Sequence, residues 1–278
     1  MFSLYEKTTF QCSKLITQNY STSFSLGIKT LDKKFHNPIY AIYGFVRLAD
    51  EIVDTFHDFD KKTLLNRFKK DTYLAIAEGV SLNPVLHSFQ QVVKEYHIEH
   101  ELIEAFLYSM EMDLLQIVHD ESSYNKYIYG SAEVVGLMCL RVFCEGDEVL
   151  FEKLKDDARS LGAAFQKVNF LRDIKSDFVE RGRVYFPGVD FNDFGVNAKK
   201  KIEEDIQADF DKAYRGIMGL PIGAKRGVYL AYIYYLKLFG KIKQISVARI
   251  QHERVRVPDR VKFALLLKIF FQENFKIA

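Results

Sequence analysis

Two pairs of aspartates with the same spacing lie far apart in the chain. Asp50 and Asp54 form the first pair, and Asp173 and Asp177 form the second. Residues four positions apart share one face of an α-helix, so each pair predicts two carboxylates that project in the same direction. Clustered carboxylates repel one another unless a cation lies between them. Oxygen ligands without histidine or cysteine are typical of Mg²⁺ or Mn²⁺ rather than Zn²⁺, and the pairs predict a shared site for such cations.

Each acid pair continues a longer polar stripe on an otherwise apolar segment. Tyr43 and Arg47 precede the first pair at helical spacing, and Gln166 and Asn169 precede the second. A buried, unpaired charge is costly, so we expect the stripes to face partners or a wet cavity. Arginine donates two hydrogen bonds to phosphate, and Mg²⁺ commonly binds carboxylates together with substrate phosphates. A diphosphate is therefore the expected substrate group. The alternative is that each pair is a solvated helix face neutralised by a neighbouring basic side chain.

Helices must position these stripes, because hydrophobic residues recur along the chain with the period of a helix and not of a strand. The five prolines fall between the periodic segments, and Pro38 is expected to open one of them. No linker or repeat divides the chain, so we expect one all-α domain over residues 1–278. The helices are predicted at residues 3–19, 38–56, 60–78, 85–96, 100–117, 124–144, 147–178, 198–217, 223–250 and 259–273.

Composition narrows the class of protein. A net charge of +2 argues against nucleic-acid binding driven by bulk charge. Three cysteines without metal-site spacing (Cys12, Cys139 and Cys144) indicate a reducing compartment. The first residues lack the pattern of a signal peptide, and no uninterrupted apolar stretch has the length that spans a bilayer. We therefore expect a cytoplasmic protein. Residues 261–271 are apolar with two lysines, which predicts either a closing core helix or a helix on a membrane surface.

These motifs resemble those of the squalene/phytoene synthase family, the head-to-head prenyl synthases. Residues 21–25 (Ser-Thr-Ser-Phe-Ser) resemble the family's Ser-x-Ser-Phe element, and residues 40–54 resemble its first aspartate-rich motif. Residues 166–177, followed by 181–187 (Arg-Gly-Arg-Val-Tyr-Phe-Pro), resemble the second motif and its flap. Residues 129–136 match the helix between the motifs. The resemblance extends over nearly the whole chain.

The resemblance implies an all-α isoprenoid synthase fold around a central active-site cavity. It also implies that Mg²⁺ or Mn²⁺ supports a two-step reaction of two prenyl diphosphates through a cyclopropylcarbinyl diphosphate. The metal ligands that it implies are Asp50, Asp54, Asp173 and Asp177. The catalytic residues that it implies are Tyr43, Arg47, Tyr129, Arg172 and Tyr234. The substrate-binding residues that it implies are Ser23, Phe24, Ile28, Arg47, Gln166, Asn169, Arg172, Arg183 and Tyr185.

Three positions depart from the family pattern. Glu51 replaces an aspartate often found in the first motif, and Ser176 replaces a common glutamate in the second. Glu133 stands where many members have a small glycine. It is expected either to add a carboxylate near the cavity or to form an ion pair at the surface.

The length and motifs are most similar to those of bacterial members that make phytoene. The resemblance therefore implies joining of two geranylgeranyl diphosphates in carotenoid biosynthesis, without NADPH. A downstream desaturase and the inner face of the cell membrane are implied partners. Three alternatives remain: squalene or dehydrosqualene synthesis from two farnesyl diphosphates, a head-to-tail or cyclising terpene synthase, and a catalytically inactive all-α assembly factor. The four retained acids favour an active enzyme.

Overall fold

The regular structure is helical throughout the described part of the chain. The computed structural model describes residues 2–115, 118–189, 194–250 and 254–255, and no strand occurs within these ranges. The all-α prediction is therefore confirmed. The helices are α1 (Phe2–Tyr20), α2 (Thr22–Lys29), α3 (Lys33–Asp54), α4 (Lys61–Glu78), α5 (Pro84–Glu95), α6 (His100–Leu114), α7 (Glu121–Ile128), a π-helical turn (Tyr129–Glu133), α8 (Val134–Cys144), α9 (Glu148–Arg181), α10 (Val196–Gly219), α11 (Ile222–Gln244) and α12 (Val247–Ile250).

The beginning of α3 differs from the prediction. The helix starts at Lys33, so Pro38 lies inside it and does not open it. Proline inside a helix loses one backbone hydrogen bond. Packing explains why the helix continues upstream: Phe35 is 1% exposed, and its ring meets Phe143 edge-on at 5.5 Å. The short helix α2 was not predicted, and it begins where the Ser21 side chain accepts a hydrogen bond from the Phe24 amide at 3.2 Å.

Other helix ends also differ. The helix predicted at 100–117 ends at Leu114, and the one predicted at 223–250 ends at Gln244 before the short α12. The helix predicted at 259–273 lies outside the described residues. In the segment predicted as one helix at 124–144, a π-helical turn separates α7 from α8.

Two glycines let this π-helical turn pack closely between α6 and α9. A Cβ atom at Gly130 would lie 2.4 Å from the carbonyl oxygen of Ala105, and one at Gly162 would lie 2.5 Å from that of Ala132. Such contacts exclude any side chain at either position. The close approach fixes the turn against both neighbouring helices.

The core forms two clusters of buried side chains. In the first, Phe45 stacks on Phe89 with ring centroids 3.9 Å apart. In the second, Phe170 stacks on Tyr185 at 4.0 Å. Helix α3 belongs to the first cluster, α9 contributes to both, and residues of both helices line one large cavity.

Among the described residues, one continuous helical run, Glu121–Cys144, is long and apolar enough by composition to cross a membrane. Of its most apolar window, 56% is buried within the protein, and α6 and α9 pack on its π-helical turn. The apolar side chains of this run therefore pack largely inside the protein.

Candidate active site

A cavity of about 540 Å³ contains the site. Helices α2, α3, α8, α9, α10 and α11 all contribute to its wall. Part of the wall is apolar, with Leu31, Ile39, Leu140 and Phe143 among its residues. Eight of the predicted site residues line the cavity: Phe24, Ile28, Tyr43, Arg47, Asp50, Gln166, Asn169 and Arg172.

The first polar stripe brings Tyr43, Arg47 and Asp50 to the cavity. The Arg47 guanidinium forms an ion pair with Glu51 and lies 3.8 Å from Asp50 Oδ2. Its Cζ atom is 4.4 Å from the centre of the Tyr20 ring, and its buried Nε has no hydrogen-bond partner among the described residues. A buried donor without a partner is costly unless a ligand satisfies it. Arg47 is therefore available to an anionic group in the cavity.

The carboxyl group of Asp50 is unusually basic. Burial raises its pKa to about 7, the neighbouring Arg47 lowers it, and the charges of Asp54 and Asp113 raise it further. Protein surrounds the Asp50 side chain on most sides. It still keeps 34% of its accessible surface, because one side faces the open cavity. A nearby cation would relieve this penalty on the charged form.

Gln166 and Asn169 of the second stripe line the same cavity, together with Arg172, which lies beside the stripe. The Tyr235 hydroxyl donates a hydrogen bond to Asn169 Oδ1 at 3.3 Å, and Asn169 Nδ2 donates to Gln166 Oε1 at 3.4 Å. Arg172 donates two hydrogen bonds to the adjacent Asp173, at 3.0 and 2.5 Å. This part of α9 therefore presents amide and guanidinium groups to the cavity.

Asp173 is paired with a second arginine that the sequence did not indicate. Arg254 Nε lies 2.7 Å from Asp173 Oδ1, and Arg254 also lines the cavity. Two guanidinium groups thus neutralise this predicted metal ligand. Both are available to a diphosphate once a cation takes over the carboxylate.

Asp54 and Asp177, the remaining acids of the two motifs, contact the flap. Asp54 Oδ1 accepts a hydrogen bond from Arg183 Nη1 at 2.9 Å. The buried Asp177 lies next to the flap, and its carbonyl oxygen accepts a hydrogen bond from the Arg183 amide at 2.8 Å. Gly182 between them has φ of 67°, a left-handed conformation that glycine adopts without strain. The structure thus connects the flap to both acid pairs.

The donor chemistry fits hard divalent cations. The four acids and the amide of Asn169 offer only oxygen ligands, and Asp50 carries a charge that burial penalises. Within the described residues, no three acidic, histidine or cysteine side chains converge on one point, and arginines lie against Asp54 and Asp173. The predicted convergence of four carboxylates is therefore not present in this arrangement. Exchange of arginine for cation at these two acids would be needed to form it.

Asp113 is a site residue that the sequence did not reveal. It is 7% exposed at the end of α6, and its pKa is raised to about 6 by burial and by the charge of Asp54, against the lowering effect of Arg183. Tyr127 donates to Asp113 Oδ2 at 2.8 Å, and Tyr185 donates to Oδ1 at 3.1 Å. The only signal in the sequence was an acid among the apolar residues of α6, without an acidic partner four positions away.

Two tyrosines close to the predicted Tyr129 and Tyr234 line the cavity. Tyr127 lines the cavity, whereas the ring of Tyr129 lies 5.4 Å from the Arg159 guanidinium. Tyr235 lines the cavity, whereas Tyr234 and Ser23 line a small adjoining hollow of about 20 Å³ that shares Tyr235 with the cavity. Tyr234 and Tyr235 point about 100° apart on α11, and it is the Tyr235 hydroxyl that reaches Asn169. Glu133 forms an ion pair with Arg159 at 2.7 Å, which matches the second of the two roles expected for it, an ion pair at the surface.

We expect Tyr235→Phe to lower kcat about tenfold and Tyr234→Phe to change it less than about twofold, because only the first removes the hydrogen bond that orients Asn169. Steady-state kinetics of the two variants, measured side by side, check this expectation. A larger loss in Tyr234→Phe would contradict the placement.

The chain is similar in sequence to known proteins. The model of the family described as squalene/phytoene synthase matches residues 17–261. A 4,4'-diapophytoene synthase of Staphylococcus haemolyticus is 24% identical over 202 residues, which covers 72% of this chain and 70% of the relative. A 15-cis-phytoene synthase of Enterobacter agglomerans is 25% identical over 278 residues, which covers 89% of this chain and 90% of the relative.

The fold is also similar to solved structures. The crystal structure of a dehydrosqualene synthase in complex with a ligand has a TM-score of 0.82 with this chain. The match covers 100% of this chain and 99% of the other, at 19% sequence identity. This likeness confirms the predicted isoprenoid synthase fold.

Proposed function

Because this chain belongs to the squalene/phytoene synthase family, whose members condense prenyl diphosphates head to head, we propose that it joins two geranylgeranyl diphosphates into phytoene. The reaction passes through cyclopropylcarbinyl (prephytoene) diphosphate and releases two diphosphates in carotenoid biosynthesis. One observation carries the proposal: an apolar cavity of about 540 Å³ that Arg47, Asp50 and Arg172 also line. This combination suits a long hydrocarbon with a diphosphate head.

Arginines and divalent cations together bind the diphosphates. Arg47 of α3 and Arg172 of α9 contact the diphosphate oxygens from the cavity wall that they line. Arg183 and Arg254 lie against acids of both motifs. Asp50, Asp54, Asp173 and Asp177 hold Mg²⁺ or Mn²⁺. The chemistry supplied by these cations is neutralisation of the charge that builds on a departing diphosphate.

In the first step, the C1–O bond of one substrate breaks and the diphosphate leaves with the electron pair. The resulting allylic cation alkylates the double bond of the second substrate, and loss of a proton closes the cyclopropane. In the second step, the remaining diphosphate leaves, the carbon skeleton rearranges, and loss of another proton gives the neutral hydrocarbon. Both steps need a pocket that stabilises a carbocation without supplying water to it.

Aromatic side chains in the cavity meet this need. The rings of Phe24 and Tyr43 lie 5.5 Å apart, and those of Phe165 and Tyr235 are stacked at 3.9 Å. Burial raises the pKa of Tyr43 to about 12 and also raises that of Tyr235, so both phenols stay neutral at pH 7. Neutral aromatic faces attract a cation through their quadrupole and do not react with it.

We expect the purified protein to convert labelled geranylgeranyl diphosphate to a C40 hydrocarbon with Mg²⁺, with equal yield in the presence and absence of NADPH. The choice of C20 is supported by the residue-level resemblance of both motifs to bacterial phytoene synthases and by the 15-cis-phytoene synthase that matches over 89% of this chain. Parallel incubation with labelled farnesyl diphosphate, followed by chromatography of the products, measures the choice. A C30 product alone would contradict the proposal.

A second candidate is dehydrosqualene or squalene synthesis from two farnesyl diphosphates. The S. haemolyticus relative and the crystallised dehydrosqualene synthase favour it. NADPH-dependent formation of the C30 product would identify the squalene branch, because the final cation is then reduced. If the chain were a catalytically inactive assembly factor, neither product would form. The presence of all four aspartates of the two motifs argues against this alternative.

The product of the proposed reaction indicates where in the cell the enzyme works. A C40 hydrocarbon partitions into lipid, so we propose a cytoplasmic enzyme in peripheral contact with the inner face of the cell membrane, which passes its product to a desaturase. The segment 261–271, which the sequence predicts as a closing or membrane-surface helix, lies outside the described residues. Flotation of the full chain with liposomes tests the contact.

A further inference from the structure

The buried Asp113 connects the flap to the rest of the site. It lies on α6, outside both acid motifs. Its backbone carbonyl accepts a hydrogen bond from Arg183 Nη2 at 3.1 Å, and its Oδ1 lies 3.4 Å from Arg183 Nη1. The same Nη1 donates to Asp54 at 2.9 Å. One guanidinium therefore bridges an acid of the first motif and an acid that belongs to no motif.

Two phenols complete the surroundings of this carboxylate. Tyr185 of the flap donates to Oδ1, and Tyr127 at the end of α7 donates to Oδ2. Their rings lie 5.1 Å apart, and the Tyr185 ring stacks on Phe170 at 4.0 Å. A buried carboxylate is costly unless several donors satisfy it, and here three side chains do so. Asp113 thus holds together four parts of the chain: α3, α6, α7 and the flap.

We propose that Asp113 is a positioning residue that anchors the flap and limits the strength of the Arg183–Asp54 ion pair. This inference rests on the proposed function, because it concerns access of a cation to Asp54. While Asp113 shares the guanidinium, Arg183 neutralises Asp54 but can leave it without becoming unpaired. Without the charge of Asp113, the Arg183 guanidinium concentrates on Asp54, the other carboxylate of the ion pairs described for it, and a cation must displace a tighter ion pair.

The first test follows the flap itself and needs no turnover. Hydrogen exchange in a peptide covering residues 182–186 is measured by mass spectrometry for the full chain, for Asp113→Asn and for Glu111→Gln. Glu111 is the matched control, because it lies on the same helix and pairs with Lys69 at 2.9 Å. We expect about tenfold faster exchange in Asp113→Asn, from loss of charge-assisted hydrogen bonds, and no change in the control. Equal exchange in the two variants would overturn the anchor.

The second test measures the Mg²⁺ concentration that gives half-maximal turnover. We expect Asp113→Asn to raise it about tenfold in the wild-type background and to leave it unchanged in an Arg183→Gln background. A general disturbance of the fold would produce the same shift in both backgrounds, and that result would overturn the proposed effect on Arg183.

Tyr185→Phe provides a milder variant should Asp113→Asn fail to fold, which circular dichroism would show. It removes one donor to Asp113 and leaves the carboxylate in place. We expect about threefold faster exchange of the 182–186 peptide, and unchanged exchange would again overturn the anchor. Absence of any prenyl product from the wild-type chain would contradict the proposed function, whereas the exchange experiment would still decide the role of Asp113.

Discussion

Asp50→Asn is expected to lower turnover of prenyl diphosphates by about 10³-fold or more while the helical fold persists. Among the four predicted metal ligands, Asp50 is the one that lines the cavity. Loss of its charge removes a cation ligand at the point where negative charge develops on the leaving diphosphate, and such electrostatic groups contribute several kcal/mol to catalysis. Product formation from labelled substrate at saturating Mg²⁺ measures the loss, and circular dichroism monitors the fold.

Asp173→Asn is expected to cause a similar loss for a second reason. Its carboxylate orders Arg172 and Arg254, so its removal leaves two guanidinium groups without their acceptor in addition to removing a ligand. Asp58→Asn is the matched control, because Asp58 is exposed in the turn that follows α3. Turnover within about twofold of wild type in Asp50→Asn or Asp173→Asn would refute the metal assignment.

The polar stripes were predictable because each is a property of one helix. Tyr43, Arg47 and Asp50 follow steps of four and three, and helical geometry alone brings them to one face. Gln166 and Asn169 are related in the same way. A buried stripe of charge needs partners, and residues of both faces find a common cavity in the structure.

Contacts between distant segments could not be predicted in this way. Arg254 reaches Asp173 across 81 positions, and Arg183 reaches Asp54 across 129. Asp113 acquires its role from the fold, because its three donors come from α7 and the flap. No periodicity within α6 contains that information.

The choice between neighbouring tyrosines was also beyond the sequence. Tyr127 and Tyr129 flank the start of a π-helical turn, which changes the direction of the side chains by an amount that an ideal helix does not predict. Tyr234 and Tyr235 differ by one position, and the rotation of α11 against α9 decides which one meets Asn169. The start of α3 shows the same limit, since burial of Phe35 outweighs the local signal of Pro38.

The metal-free Asp50→Asn variant is expected to be more stable than the wild-type protein above pH 7. The pKa of Asp50 is raised from 3.8 to about 7, so the folded protein binds a proton more tightly than the unfolded chain. The stability that this proton provides is present at low pH and is lost as the pH rises from about 4 to about 7. Asparagine carries no charge at any pH, so it avoids this loss.

A pKa change of this size corresponds to about 4 kcal/mol at most. Because the side chain keeps 34% of its accessible surface, solvent screening reduces the expected gain to about 1–2 kcal/mol at pH 8, and to almost nothing near pH 4. Urea denaturation in the presence of EDTA, at several pH values, measures the difference. Asp58→Asn is expected to show no comparable trend, and a gain that does not depend on pH would contradict the electrostatic cause.

Saturating Mg²⁺ with inorganic diphosphate should reverse the order of stability. Ligands that bind only the folded state stabilise it, and the wild-type carboxylate binds the cation that asparagine does not hold. Asp50 would then destabilise the protein without ligand and stabilise the protein that has bound Mg²⁺ and diphosphate. This behaviour is expected of a residue kept for chemistry and not for packing, because a residue kept for packing would stabilise the protein with or without the cation.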